Sequence, residues 1–208
     1  MEITNFAIFL AASWVVILTP GPDMLYVITL GLSHGRKAGL LSAAGIAMGL
    51  LMHTTFAALG LAIVLRTSAL AWLIVKYAGA VYLICLGIKS IREKSPFILK
   101  KNKTPLHAKT IFVHGMLSNL LNPKIALFFL AFLPQFVNPE LGNTAFQMAF
   151  MGLIFASCGI VFLAFIGYFS GHIGSWLGRK AFFAAQLRYL TGSILIALGT
   201  RLIFLDGH

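Results

Sequence analysis

Charged residues are scarce in this sequence. Only 10% of its 208 residues are Asp, Glu, Lys or Arg, whereas 59% are hydrophobic. A soluble globular domain averages about 25% charged residues and about half apolar ones. A soluble fold of this size would need polar side chains over most of its surface, and this chain has too few of them. The composition therefore excludes an ordinary soluble domain and predicts a protein of the lipid bilayer.

Motifs for enzyme and cofactor chemistry are also missing. The sequence has no HExxH, GxSxG or P-loop pattern. Its two cysteines, Cys85 and Cys158, stand in apolar runs and fit none of the metal or redox spacings. Of its five acidic residues, only Asp23 falls inside an apolar run. We therefore expect no catalytic residues, no metal and no cofactor. The sequence also lacks an ATP-binding motif. If the protein moves a solute against its concentration gradient, it would therefore have to use an ion gradient.

Six apolar stretches are long enough to cross a membrane as helices. A spanning helix needs about 20 apolar residues, because the hydrocarbon core is about 30 Å thick. Barrel strands would alternate in polarity over about ten residues, and the sequence lacks that alternation. It predicts an all-α membrane protein with a single transmembrane domain over residues 1–208. The predicted spans are Phe6–Leu32, Ala38–Leu65, Ala69–Ile91, Ile111–Val137, Ala145–Ser170 and Ala181–Phe204.

The net charge of +11 comes mainly from three loops. Residues 33–37, 92–109 and 171–180 hold ten of the sixteen Lys and Arg residues, whereas the loops on the other side hold only Arg66. Repeats of basic and aromatic residues, which stack bases in nucleic-acid-binding proteins, are missing. By the positive-inside rule the three basic loops are cytoplasmic. We therefore predict that both termini lie outside and that nucleic acid is not a partner.

The longest loop divides the chain into two halves of three spans each. Repeat one is 1–91, the basic loop is 92–110 and repeat two is 111–208. Three spans per half place the second half upside down in the membrane, as in many secondary transporters. The sequence thus predicts two inverted three-helix repeats. The residues that match at an offset of 112 are Lys76-Tyr77 with Arg188-Tyr189, Leu86-Gly87 with Leu198-Gly199, Lys89 with Arg201, and Pro22 with Pro134.

The first span is interrupted by Thr19-Pro20-Gly21-Pro22 and then carries Asp23. Two prolines remove two backbone donors, so the helix must kink or unwind there. Carbonyl groups freed inside a membrane are tolerated only where they face protein or a watery cavity. A carboxylate at the centre of a membrane helix costs about 2.5–3.5 kcal/mol. Asp23 therefore either caps the resumed helix or forms a substrate or proton site.

The fourth span has a second break at Pro123, between Asn122 and Lys124. Asn119 and Asn122 share one helix face. Their amides either satisfy the backbone groups that Pro123 frees or line one cavity with the first break. Broken helices in corresponding positions of two halves indicate a transport site. Lys124 could pair with Asp23, but straight helices would leave the two residues about 15 Å apart in depth, with Asn119 nearer to Asp23.

Three other polar residues within the spans are candidates for the site. Lys76 and Arg188 either extend their charged ends to the membrane surface or bind a substrate carboxylate. His53 either relays protons or is simply hydrogen-bonded. In the same span, Gly45-x-x-x-Gly49 predicts close helix packing, within or between chains.

Six short motifs occur over nearly the whole chain in a characteristic order and spacing. They resemble the LysE/RhtB family of amino-acid exporters, and the likeness is weakest in the 94–109 loop and in the last two spans. The motifs are Thr19-Pro20-Gly21-Pro22, Ser33-His34-Gly35-Arg36, Ala43-Ala44-Gly45, Lys76-Tyr77-Ala78-Gly79-Ala80-Val81-Tyr82-Leu83, Asn122-Pro123-Lys124 and Phe132-Leu133-Pro134-Gln135-Phe136.

This resemblance implies a function and a set of partners. It implies proton-driven efflux of amino acids or derivatives such as homoserine, threonine, lysine or arginine, in the bacterial inner membrane and as a homodimer. The chain is more similar to the neutral homoserine/threonine branch than to the basic exporters, so we expect a neutral substrate. The expected partners are the amino acid, protons and the lipid bilayer. The alternatives are a passive channel or scaffold for small polar solutes and, with less support, an integral-membrane enzyme.

Overall fold

The structure is a computed structural model, and the residues that it describes are almost entirely helical. These are residues 3–61, 69–92, 106–138, 141–177, 189, 192–197, 199–200 and 203–204. Within these ranges there is no strand, and helical residues 189, 192–197, 199–200 and 203–204 follow seven α-helices. The helices are α1 (Ile3–Leu18), α2 (Pro22–His34), α3 (Arg36–Phe56), α4 (Ala69–Arg92), α5 (Ala108–Leu120), α6 (Pro123–Leu127) and α7 (Thr144–Leu177).

The predicted first span is two helices that meet at an angle. The axes of α1 and α2 are bent by 48° at the Pro-Gly-Pro break. Pro22 is the first residue of α2, where a missing N–H costs no helical hydrogen bond. Pro20 lies in the connection and has no N–H for the carbonyl of Val16, four residues earlier. The proline positions therefore explain both the end of α1 and the start of α2.

The predicted fourth span is broken in the same way. Pro123 is the first residue of α6, and the axis bends by 46° between α5 and the segment Pro123–Phe136. α6 continues as a π-helix over Phe128–Phe132 and a 3-10 helix over Leu133–Phe136. Both breaks predicted from proline are therefore present in the fold. A second π-helix, Ala57–Leu61, extends α3.

Two described helices are long and apolar enough to cross a membrane alone, and each broken pair qualifies if it counts as one span. The continuous ones are Arg36–Gly60 and Thr144–Ser170. α4 contains a shorter apolar stretch, Tyr77–Lys89. Most of the predicted sixth span lies outside the described residues. The all-helical fold is confirmed with two to four candidate spans, and the six-span arrangement stays a prediction.

Helix α3 packs closely against α5 on one side and α7 on the other. A Cβ atom on Gly45 would collide with the carbonyl oxygen of Phe112 in α5, and one on Gly39 would lie 2.6 Å from the carbonyl oxygen of Gly167 in α7. Gly49 also faces α5, at Asn119. The close packing predicted for Gly45 and Gly49 is thus confirmed, and it occurs within the chain.

The end of the described chain packs against α4 through small residues. A Cβ atom on Gly87 would lie 2.6 Å from the carbonyl oxygen of Gly192, and one on Gly199 would lie 2.7 Å from that of Ala80. Gly199 lies 112 positions after Gly87, and Ala80 lies 112 positions before Gly192, so the offset of the predicted repeat relates the two contact pairs. This exchange is what two inverted repeats would produce, and the repeat itself stays a prediction. The orientation also stays a prediction. Residues 93–105 and 178–180 of the two longer basic loops lie outside the described residues, and 171–177, predicted as loop, continue α7.

Candidate functional site

Asp23 is buried at the start of α2, where the first break faces the second. One carboxylate oxygen, Oδ2, accepts hydrogen bonds from Asn119 Nδ2 at 2.7 Å and from Asn122 Nδ2 at 3.0 Å. The other, Oδ1, lies 3.5 Å from the hydroxyl of Ser118. The N-cap of α2 is Gly21, so Asp23 does not cap this helix. Its carboxylate is held by the polar face of the fourth span, which favours the site interpretation over the capping one.

The two asparagines have different tasks at the second break. Asn122 Oδ1 accepts the backbone N–H of Lys124 at 3.1 Å and so caps α6, while its amide nitrogen bonds Asp23. Asn122 therefore serves the helix break and also contacts Asp23, although it does not line the cavity described below. Asn119 is fully buried, and its Oδ1 has no hydrogen-bond partner among the described residues. Its amide nitrogen serves Asp23, so Asn119 belongs to the site rather than to the helix break.

Lys124 bonds the first break instead of Asp23. Its Nζ donates to the carbonyl oxygens of Val16 and Thr19, each at 3.0 Å. The Val16 carbonyl is the one that Pro20 leaves without a helical donor. Both carbonyls lie at the carboxyl end of α1, where the helix dipole favours a cation. Within the described ranges no direct ion pair joins Lys124 to Asp23.

His53 is on α3, and it lies beside Asn119 of α5. Its Nε2 is 3.3 Å from the backbone carbonyl oxygen of Asn119, and its ring stacks on Phe129 with centroids 5.5 Å apart. The neighbouring Thr54 bonds the carbonyl of Leu50 in its own helix at 2.9 Å. His53 is thus held by a hydrogen bond and a ring contact next to the site. This arrangement favours the hydrogen-bonded interpretation and leaves the relay as a prediction.

A small cavity lies between Asp23, Asn119 and Lys124. Its volume is about 30 Å³, which is room for water but not for an amino acid. Polar atoms come from the two breaks, and the other walls are apolar. The lining residues are Val16, Ile17, Thr19, Asp23, Met24, Ile46, Leu50, Asn119, Lys124, Ile125, Phe155, Gly159 and Leu163.

A cluster of phenylalanines packs beside the cavity. Its rings come from α1, from α7 and from the segment Phe128–Phe136 that follows α6. Phe128 stacks on Phe155 with centroids 4.1 Å apart, and Phe155 lines the cavity. Phe9 meets Phe136 edge to face at 5.4 Å. Aromatic rings so arranged bury a large apolar area and exclude water. The cluster therefore supports the apolar wall that Phe155 contributes to the cavity.

The structure brings together five of the seven predicted substrate or proton residues, namely Asp23, Asn119, Asn122, Lys124 and His53. Lys76 lies in α4, but its side chain is outside the described residues. Arg188 lies outside them altogether. The predicted break residues, Pro20, Gly21, Pro22 and Pro123, all lie at the two interruptions.

Sequence reasoning missed the backbone carbonyls that hold Lys124 and the apolar walls of the cavity. The carbonyl of Val16 could have been found, because it lies four residues before Pro20. The walls could not, because Ile46, Leu50, Phe155 and Leu163 do not differ in the sequence from the residues around them. Which apolar side chains face a cavity depends on helix rotation and crossing.

A buried carboxylate and a half-buried lysine at two broken helices, inside a chain with apolar spanning helices, are typical of a membrane transporter. The chain belongs to the LysE family, since the family model described as LysE type translocator matches residues 14–205. The predicted family is therefore confirmed.

Three relatives illustrate what the chain is similar to. An uncharacterized membrane protein, YrhP, from Bacillus subtilis is 33% identical over 89% of this chain and 92% of its own length. A leucine efflux protein from Salmonella typhimurium is 30% identical over 98% of this chain and 97% of its own. Another from an Enterobacter species is 28% identical over 96% and 95%. No solved structure matches the chain.

Proposed function

We propose that this protein exports a neutral amino acid with an apolar side chain across a bacterial inner membrane, in exchange for protons. The observation that carries the proposal is that Asp23 and Lys124 line one cavity without pairing with each other. An amino acid carries an ammonium and a carboxylate on one carbon atom. Asp23 would bind the ammonium group and Lys124 the carboxylate, so the two charges complement a zwitterion.

The rest of the cavity favours an apolar substrate side chain. Beyond the two breaks its walls are formed by residues such as Ile46, Leu50 and Phe155. A basic substrate would need a second carboxylate, and the described cavity lining contains only Asp23. The similarity to leucine efflux proteins supports the same side-chain class. Homoserine and threonine, expected from the sequence, would place a hydroxyl against these walls, where it would cost free energy without a partner.

The chemistry of Asp23 supports the proposal of proton exchange. One carboxylate can hold either the substrate ammonium or a proton, but not both. A carrier that releases the amino acid outside would return with Asp23 protonated, so that the carboxylate is not buried as a charge without a partner, while the Lys124 ammonium group keeps its two carbonyl acceptors. The cavity is too small for an amino acid in this conformation, and opening it towards either side requires movement at the two breaks.

The experiment is efflux from cells and counterflow in proteoliposomes. Cells that overproduce the protein should raise extracellular leucine-like amino acids above homoserine and threonine. Asp23→Asn should abolish proton-coupled efflux while the protein still reaches the membrane. Thr55→Ala is the matched control, because Thr55 is exposed and donates its hydroxyl to Leu51 in its own helix. Unchanged efflux in the Asp23→Asn variant would refute the role of Asp23, and counterflow without an overshoot would indicate a passive channel.

Two further parts of the proposal concern the assembly. Both termini would lie outside the cell, as the basic loops predict, and the protein would form a homodimer. Labelling of single cysteines at the termini from either side of the membrane tests the first, and the mass of the purified protein in detergent tests the second.

A further inference from the structure

The Lys124 ammonium group lies where a free cation could bind. Its two acceptors, the carbonyl oxygens of Val16 and Thr19, belong to the carboxyl end of a half-helix. Both residues are buried, at 2% and 5% exposure. In transporters with broken helices, unwound carbonyls and half-helix ends of this kind coordinate Na⁺.

In the part of the chain that the structure describes, no carboxylate holds the ammonium group directly. The described acid in the cavity is Asp23, and its oxygens are bonded to Asn119, Asn122 and Ser118. The backbone carbonyls therefore determine where the Lys124 nitrogen lies. An ammonium group has three donors, and two are used here, which leaves one for a substrate carboxylate.

Gly21 provides a second, independent observation. A Cβ atom at this position would lie 3.1 Å from Lys124 Nζ and 3.5 Å from its Cε. The φ angle of Gly21 is −156°, an extended conformation that any residue can adopt. The glycine is therefore not needed for its backbone angles. It leaves room for the cation.

We propose that the Val16 and Thr19 carbonyls form a monovalent-cation site that Lys124 fills with its own ammonium group, so that the exporter carries a tethered cation in place of bound Na⁺. The role of this site in export rests on the proposed function, whereas the existence of the cation site does not. Two consequences follow. The wild-type protein needs no Na⁺, and removal of the Lys124 side chain opens the site to small cations.

The test measures thermal unfolding of purified protein in detergent, without amino acid, at constant ionic strength. Lys124→Ala should unfold about 4 °C higher in Na⁺ or methylammonium than in N-methylglucamine, at a cation concentration about ten times the dissociation constant. Lys124→Met is the matched control, because its side chain fills much of the same space without charge, and it should not respond. An alanine variant that unfolds at the same temperature in all three salts would overturn the proposal.

A second measurement uses the wild-type protein, so it does not depend on whether the variants fold. Its unfolding temperature and its amino-acid efflux should be the same in Na⁺, K⁺ and N-methylglucamine buffers. A requirement of wild-type efflux for Na⁺ would overturn the tethered-cation proposal even if the alanine variant cannot be purified. Absence of efflux in every buffer, together with a cation response of the alanine variant, would refute the proposed function and leave the cation site standing.

Discussion

Replacing Gly49 with alanine should disturb the site although Gly49 does not line the cavity. The new Cβ atom would lie 2.7 Å from Asn119 Oδ1, 2.9 Å from Asn119 Cβ and 3.0 Å from the carbonyl oxygen of Met116. Real Cβ atoms do not approach other atoms so closely, so α5 or the Asn119 side chain must move. Rotating that side chain would break its 2.7 Å hydrogen bond to Asp23.

The cost can be worked out from these contacts. Overpacking a close helix crossing costs about 1–3 kcal/mol, and a hydrogen bond to a charged group contributes about 1.5–3 kcal/mol. Loss of about 1.4 kcal/mol at the substrate site is a tenfold change in binding. We therefore expect Gly49→Ala to unfold at a lower temperature and to raise the substrate concentration for half-maximal efflux about tenfold.

The assay is efflux and counterflow in proteoliposomes with equal amounts of reconstituted protein. Gly60→Ala is the matched control, because Gly60 lies further along the same helical segment and a Cβ atom there would meet no atom within 4 Å. It should behave like the wild type. If Gly49→Ala exports at the wild-type rate with an unchanged half-maximal concentration, the site does not depend on the observed position of Asn119.

Two further substitutions test the second break and the histidine. Asn122→Ala removes the cap of α6 and one hydrogen bond to Asp23, so the free energy of unfolding should fall by about 2–4 kcal/mol in denaturant titration. Asn122→Ser, which keeps a capping oxygen, should recover about 1 kcal/mol of it; no recovery would contradict the capping role. His53→Gln should keep the pH dependence of efflux, since the hydrogen bond described for His53 goes to a backbone carbonyl; a flat pH profile would instead support the proton relay.

The broken spans could be predicted because proline acts locally. A missing N–H at Pro20 or Pro123 interrupts the helix whatever surrounds it, and the bends of 48° and 46° lie where the prolines are. The pairing of Asp23 with Asn119 could also be anticipated, because counting residues along the helices puts them at similar depth. These features depend on chain position alone.

The partners of Lys124 could not be predicted in the same way. The depth estimate of about 15 Å between Asp23 and Lys124 assumed straight helices. The two bends and the length of the lysine side chain bring both residues to one cavity, yet the ammonium group bonds carbonyls rather than the carboxylate. The role of Gly49 was hidden for a similar reason. A Gly-x-x-x-Gly pattern predicts close packing, but it does not say which side chain of the neighbouring helix lies opposite.

The hydrogen bonds between the two breaks make them mechanically dependent on each other. Lys124 belongs to the second break, and its acceptors belong to the first. Asp23 belongs to the first break, and its amide donors belong to the second. Movement of α6 away from α1 would break the hydrogen bonds of two carbonyls and an ammonium group, at a cost of about 1–3 kcal/mol for each neutral group that stays out of water and more for the charge. A substrate that supplies a carboxylate and an ammonium would lower this cost on the outward step, and a proton on Asp23 would lower it on the return, so binding of either one would favour the joint rearrangement of both breaks.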